Sequence, residues 1–121
     1  RFKRLPRLAW RLQKGYGLSL LALIGERRMS LEITVFKSVH DAFNKELKVW
    51  EDVYERDGHI RNGSWLYISV SLQIVVADAL ISSKEFQELS ERRKLMMAFS
   101  IGQWIEDEFR KFQSRVRENE E

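Results

Sequence analysis

Hydrophobic and polar positions along this chain change their period several times, and each change predicts a new element. Residues 2–14 place apolar side chains at spacings of three and four between arginines and lysines, which is the pattern of a short amphipathic helix. Pro6 is tolerated only near a first turn, so we expect this helix to begin around residues 5–7. The Gly-Tyr-Gly run at 15–17 ends it, because glycine supplies the left-handed conformation of a helix stop.

The next periodic segments predict a strand followed by a helix. Residues 31–35 (LEITV) alternate apolar and polar side chains and are rich in β-branched residues, which favours a half-buried strand at about 29–37. Beyond it the period becomes helical, and these side chains share one helix face: Val39, Phe43, Leu47, Trp50 and Tyr54. Ser38 and Asp41 predict the N-terminal cap of this helix, and the Asp-Gly pair at 57–58 predicts its end.

A second strand is predicted after the glycine-rich loop at 57–63 (DGHIRNG). Within 65–76 apolar side chains occupy every second position: Leu66, Ile68, Val70, Leu72, Ile74 and Val76. This alternation and the β-branched content favour a strand whose even positions face the core. A helix is the competing interpretation, because a second set also fits a period of 3.6: Trp65, Ile68, Leu72, Val75, Val76 and Ala79.

The last third of the chain is predicted to be helical from Ser82, with Glu85 completing a capping box. Its apolar stripe is formed by Phe86, Leu89, Met96, Met97, Ile101, Trp104, Ile105, Phe109, Phe112 and Val116. Gly102 either divides this segment into two helices or marks a close contact, because an interior glycine costs roughly 1 kcal/mol relative to alanine. We expect the charged residues 115–121 to fray.

These elements predict a single α+β domain that spans residues 1–121. A small sheet, with strands near 29–37 and 65–76, packs with two to four helices, of which the longest lies in the C-terminal third. A chain of 121 residues with 44% hydrophobic content supports one core. The chain has no cysteine, which excludes a disulfide framework and leaves the compartment open, with an intracellular location favoured.

Charge divides the chain into a basic beginning and a mildly acidic remainder. The first 28 residues hold eight Lys and Arg against one acid, Glu26, a net charge of +7; since the whole chain carries +3, the remaining residues carry −4. Such a division indicates a polyanionic partner. We predict that a basic arm, residues 1–17, binds this partner through Arg4, Arg7, Trp10, Arg11 and Lys14.

The arm is followed by an apolar run at 18–25 (LSLLALIG). About eight residues are too few to cross a bilayer, which needs ~20, so we expect no membrane-spanning helix. The run is expected to be a buried element of the core; the alternative is a segment that inserts into a membrane or docks a partner.

No motif in the sequence predicts catalysis, and no cofactor or metal is expected. The two histidines, His40 and His59, lack the spacing of a helical metal site, and no phosphate-binding loop or nucleophile motif occurs. We therefore predict a non-enzymatic interaction or assembly module whose basic arm docks an acidic protein or an anionic membrane surface. The alternatives are a nucleic-acid-binding protein that uses the same arm, and a small enzyme without a recognisable motif. Formation of a homo-oligomer remains open, as does the simpler interpretation that the arm packs on the acidic body.

Overall fold

The computed structural model describes residues 30–120, and 89% of them are helical. Within this range four helices follow one another: α1 (Ser30–Asp57), α2 (Ser64–Ser82), α3 (Lys84–Gln87) and α4 (Glu91–Glu120). Residues 30–120 contain no strand, so the predicted α+β class is wrong. The predicted helix at 2–14 and the apolar run at 18–25 lie outside the described residues.

The strand predicted at 29–37 is wrong, because residues 30–37 form the first two turns of α1. In a strand Glu32 would face away from the core, but here Glu32, Val35 and Phe36 are buried and Thr34 is exposed. Their spacing places them on the same face of α1 as Val39 and Phe43, which are also buried. A run of five alternating residues fits both periods, and the strand preference of β-branched side chains is weak enough for tertiary contacts to override it.

The helix predicted from its apolar face is confirmed, although it begins earlier than expected. Val39, Phe43 and Leu47 are buried, and Trp50 and Tyr54 pack against the core at its edge. Ser38 was predicted as the N-terminal cap, but it lies inside α1, because the helix begins eight residues earlier, at Ser30. The predicted cap is therefore wrong.

The end predicted for this helix at 57–58 is also confirmed. Gly58 adopts a φ of 78° and its backbone N–H donates to the Tyr54 carbonyl at 2.7 Å. This is the left-handed turn that glycine permits after a helix.

The strand predicted at 65–76 is also wrong, and the competing helix is confirmed. Ile68, Leu72 and Val76 are buried, as a period of four along α2 requires, but Val70 and Ile74 are exposed. A helix turns about 100° per residue, so a step of two residues reverses the face. The even positions that appeared to share one face of a strand are therefore divided between the core and the surface.

The C-terminal segment is helical as expected but is interrupted before Glu91. Ser83, one residue after the predicted cap, accepts a hydrogen bond from the Phe86 N–H at 3.1 Å and begins α3. Ser90 begins α4 by accepting from the Arg93 N–H at 3.2 Å. The stripe is largely confirmed, since most of its members are buried or packed against the core; Met96 is the exposed exception.

The three long helices enclose one apolar core. Phe43 of α1 packs on Trp104 of α4 with ring centroids 4.6 Å apart, and Trp65 of α2 meets Phe112 of α4 at 5.7 Å. Val116, in the charged segment predicted to fray, is buried at the far end of α4. Each of the three long helices therefore contacts the other two, and within residues 30–120 only one side of α2 is covered.

Polar links also cross between the helices of the bundle. Glu32 accepts hydrogen bonds from Arg93 Nε and Nη2, both at 2.6 Å, so the first turns of α1 and α4 are joined. Trp50 Nε1 donates to Ser71 Oγ at 3.0 Å and so joins α1 to α2. The Trp50 ring also meets Tyr67 edge-on at 5.8 Å.

Candidate docking surface

The side of α2 that faces away from the bundle carries a continuous row of apolar side chains, which we call the α2 stripe. Its members follow one helix face at spacings of three and four: Leu66, Val70, Ile74, Ala77 and Ile81. With Tyr67 at the edge, the large side chains are 42 to 75% exposed. Together they present on the order of 600 Å² of apolar surface, the upper end of the 300–600 Å² found for the largest patch of a typical monomer.

A second exposed apolar cluster lies on α4, formed by Leu95, Met96 and Phe99, which are 45 to 71% exposed. A groove of about 540 Å³, which we call the α2/α4 groove, lies between α2 and α4, and Ala77 is the stripe residue that lines it. Buried Val76 and Ile101 belong to its lining. Polar Ser69 and Gln73 of α2 line it too, so the groove is of mixed polarity and meets the stripe at Ala77.

Small residues line the groove where it borders the exposed cluster. Ala77 of α2 belongs both to the α2 stripe and to the groove, and Ala98 and Gly102 of α4 lie across from it. Leu95 is three and seven residues before Ala98 and Gly102, so these three share one face of α4. A row of small side chains beside large ones leaves room for another helix to approach closely.

Gly102 has no structural reason within the bundle to be glycine. It lies inside α4, which it does not divide, and a Cβ added there would meet no heavy atom within 4 Å. Both alternatives predicted for it, a helix boundary and a close contact, are therefore wrong for residues 30–120. Since alanine would favour the helix by roughly 1 kcal/mol, the open space above Gly102 is a feature that packing among these residues does not explain.

Charge is nearly absent from the centre of this surface. Asp78 is the one charged residue of α2, and it is exposed beside the stripe. Glu106 and Arg110 lie at the other end of the groove, near Gln113. An apolar centre with a polar rim is the usual composition of a protein interface.

Several charged groups elsewhere on the described bundle form ion pairs. A second groove of about 690 Å³ lies between α1 and α4, and Arg115 there donates to Glu51 at 3.1 Å. On α1 a hydrogen bond with Asp52 raises the pKa of Lys48, and one from Arg56 lowers the pKa of Asp57. These are exposed pairs that stabilise a protein little.

The shift at Arg93 has a structural origin. Its hydrogen bonds to Glu32 raise the pKa of the guanidinium above its ordinary value. The guanidinium therefore serves as a charged link between α1 and α4.

Neither histidine forms a metal site with the residues around it. His40 lies 5.4 Å from the Trp104 ring and is hydrogen-bonded to Asn44 at 3.1 Å. His59 is bonded to the backbone carbonyl of Asp57 at 3.1 Å. Across residues 30–120 no three His, Asp or Glu side chains lie close enough to hold a metal ion.

The predicted partner-binding residues lie outside the described residues: Arg4, Arg7, Trp10, Arg11 and Lys14. The structure therefore places none of them relative to the α2 stripe or the groove. The stripe itself was missed, because Leu66, Val70 and Ile74 were assigned to the buried face of a strand. The sequence did contain its signal, since these residues recur at helical spacing opposite Trp65, Ile68 and Leu72.

α2 also corrects the expectation that the chain has no helix able to span a membrane. By length and composition alone, α2 is long and apolar enough to cross a bilayer. Its buried side, however, packs into the core that it shares with α1 and α4. In this bundle α2 is a packed helix with one uncovered side.

Comparison with known proteins gives no match: no protein-family model, no curated protein and no solved structure is similar to this chain.

Proposed function

We propose that this protein is a non-enzymatic interaction and assembly module. Its docking surface is formed by the α2 stripe, the α2/α4 groove and the exposed cluster on α4. The observation that carries the proposal is the continuous apolar face of α2, which the described bundle leaves uncovered. α2 is apolar both on its buried side and along the stripe, and the apolar face of a helix is usually buried, so the stripe is the part that needs a partner.

The size of the surface supports this function. The stripe and the α4 cluster together present on the order of 1,000 Å² of apolar surface, against about 800 Å² per partner in a standard interface. The stripe alone, at about 25 cal/mol per Å², would contribute about 15 kcal/mol before the losses of association. Those losses amount to about 4–15 kcal/mol, so a stable complex needs the α4 cluster as well as the stripe.

The basic arm has a separate role in this proposal. With six Lys and Arg and no acid at residues 1–17, it attracts an acidic partner and accelerates the encounter, as separated charges do in other complexes. The residues proposed for this role remain Arg4, Arg7, Trp10, Arg11 and Lys14. The nucleic-acid alternative depends entirely on this arm, and no residue of the described bundle favours it.

Photo-crosslinking in the cells that make the protein tests the function. Benzoylphenylalanine replaces Ile74, which is central to the stripe, in the full chain; the control replaces Val49, which is half exposed on α1. We expect crosslinks to a polypeptide from position 74 and none from position 49. Crosslinks to lipid alone, or equal yields at the two positions, would show that the stripe is not a protein-docking surface.

A further inference from the structure

We infer that the partner on this surface is a second copy of this chain. In the dimer, the α2 stripe of each copy lies in the α2/α4 groove of the other, related by a two-fold axis. The inference rests on the proposed function, because it names the occupant of the same surface.

The arrangement of the surface favours a two-fold partner. The stripe provides a ridge of large side chains that includes Val70 and Ile74, and the groove beside it is lined by Ala98 and Gly102. Ala77 belongs to both, so ridge and groove are direct neighbours on one face. A two-fold axis between them places each ridge in the opposite groove, which is the self-complementarity that a symmetric dimer requires.

The space above Gly102 fits this arrangement. Packed helices lie about 8–10 Å apart, at a distance set by the side chains at their contact. Glycine and alanine at the groove permit the closest approach, and within the bundle nothing occupies that space. In the dimer, the α2 stripe of the second copy would fill this space. The dimer therefore explains why an interior position of α4 is glycine, which packing within one copy does not.

The area and the charge of the surface agree with a second copy. On the order of 1,000 Å² of apolar surface per copy exceeds the roughly 800 Å² per partner of a standard interface. Like charges would oppose a dimer centred on charged residues, but Asp78 is the one charged residue of α2. A symmetric contact centred near Ile74 therefore brings apolar side chains together at its middle.

The other occupant that this chain itself could supply is its N-terminal segment, residues 1–29, which lies outside the described residues. The stripe from Leu66 to Ile81 spans roughly 22 Å at 1.5 Å per residue, and a second α2 matches this length. Crosslinks from position 74 to residues 1–29 of the same chain would place that segment, and not a second copy, on the stripe.

Sedimentation of the full chain over a concentration series tests the inference. We expect the wild type to reach the mass of two chains reversibly. Ile74→Glu should weaken association at least 100-fold while the circular dichroism stays helical, and Val49→Glu, the matched change on α1, should dimerise like the wild type. If Ile74→Glu fails to fold, Leu66→Gln at the exposed end of the stripe takes its place, with weaker association expected.

A second pair of variants tests the groove. Gly102→Leu would fill the space that receives the ridge, so we expect it to sediment as a monomer; Gln103→Leu, on the adjacent exposed position, is its control. Benzoylphenylalanine at position 74 of the purified protein should crosslink to residues 98–106 of another copy.

Three results would overturn the inference: a wild type that is monomeric at all concentrations, a dimer that survives both Ile74→Glu and Gly102→Leu, or crosslinks from position 74 to residues 1–29 of the same chain. If the wild type is monomeric but position 74 crosslinks another polypeptide in cells, the dimer is wrong and the docking function stands. If position 74 crosslinks no polypeptide in either setting, both proposals fail.

Discussion

Replacing Arg93 with alanine should destabilise the protein more than replacing Glu32 with glutamine. Arg93 donates two hydrogen bonds to the Glu32 carboxylate, both at 2.6 Å. The two side chains are not equally accessible to water. The Glu32 side chain is 8% exposed and the Arg93 side chain 35% exposed. Arg93→Ala therefore leaves a carboxylate that water can hardly reach, whereas Glu32→Gln leaves a guanidinium that water can solvate.

The magnitudes follow from this difference. Removing one partner of a buried pair costs about 3–5 kcal/mol, and the partial exposure here places Arg93→Ala at the lower limit, about 3 kcal/mol. Glu32→Gln keeps an amide oxygen as an acceptor, so its cost is close to that of weakened hydrogen bonds, about 1 kcal/mol. The double variant should cost less than the sum of the two single changes, because both changes act on the same pair of side chains.

The assay is urea unfolding of the full chain followed by circular dichroism. All variants are compared at one protein concentration, because self-association would make stability depend on concentration. Equal costs for the two single variants, or a cost below about 0.5 kcal/mol for Arg93→Ala, would refute the reasoning. The second result is what a strand at 29–37 would give, since Glu32 would then face solvent and surface changes have small effects.

Three further predictions concern other parts of the molecule. Trp50→Phe removes the hydrogen bond to Ser71 and should lower the free energy of unfolding by about 1 kcal/mol, whereas Ser114→Ala, an exposed change on α4, should alter it by less than about 0.5 kcal/mol in the same urea assay. Gly102→Ala should raise the stability of the monomer by roughly 1 kcal/mol, measured under dissociating dilution; a destabilisation would show that the space above Gly102 is occupied. Charge reversal at Arg4, Arg7 and Arg11 should reduce binding to an acidic polypeptide such as polyglutamate, and unfolding should change by less than about 1 kcal/mol because exposed ion pairs contribute little. Unchanged binding would remove the arm from the proposed function, and unfolding of this variant would show that the arm packs on the body.

The sequence predicts the helical faces of this fold better than it predicts its class. The faces of α1 from Val39 and of α4 from Met97 extend over several turns, so a period of 3.6 is the single consistent interpretation. The two wrong strands arose where the pattern also fits a period of two. In 31–35 the run is too short to distinguish the periods. In 65–76 apolar residues lie on both the buried and the exposed side of the helix. Together, the residues of these two sides occupy every second position, and so they imitate the alternation of a strand.

The same pattern explains why the candidate surface was not predicted. A periodic pattern identifies positions that share a face, but it does not state which face another element covers. That depends on the number of helices in the bundle and on their angles, which are properties of the assembled chain. Charge asymmetry directed the prediction to the basic arm, where Arg4 to Lys14 stand out in composition, whereas an apolar stripe has the composition of a core.

α2 has the composition of a helix at the centre of a larger assembly. Trp65, Ile68 and Leu72 bury one side of it against α1 and α4, and the opposite side carries residues of the same type without a covering layer. Burial of a Leu or Ile contributes about 1.5–3 kcal/mol, so leaving Leu66, Ile74 and Ile81 in water forgoes a stabilisation comparable to the net stability of a small domain, about 5–15 kcal/mol. One more helical layer over this side would complete the core around α2. A second copy brings such a layer in its own α2 and α4, and each layer then covers the other.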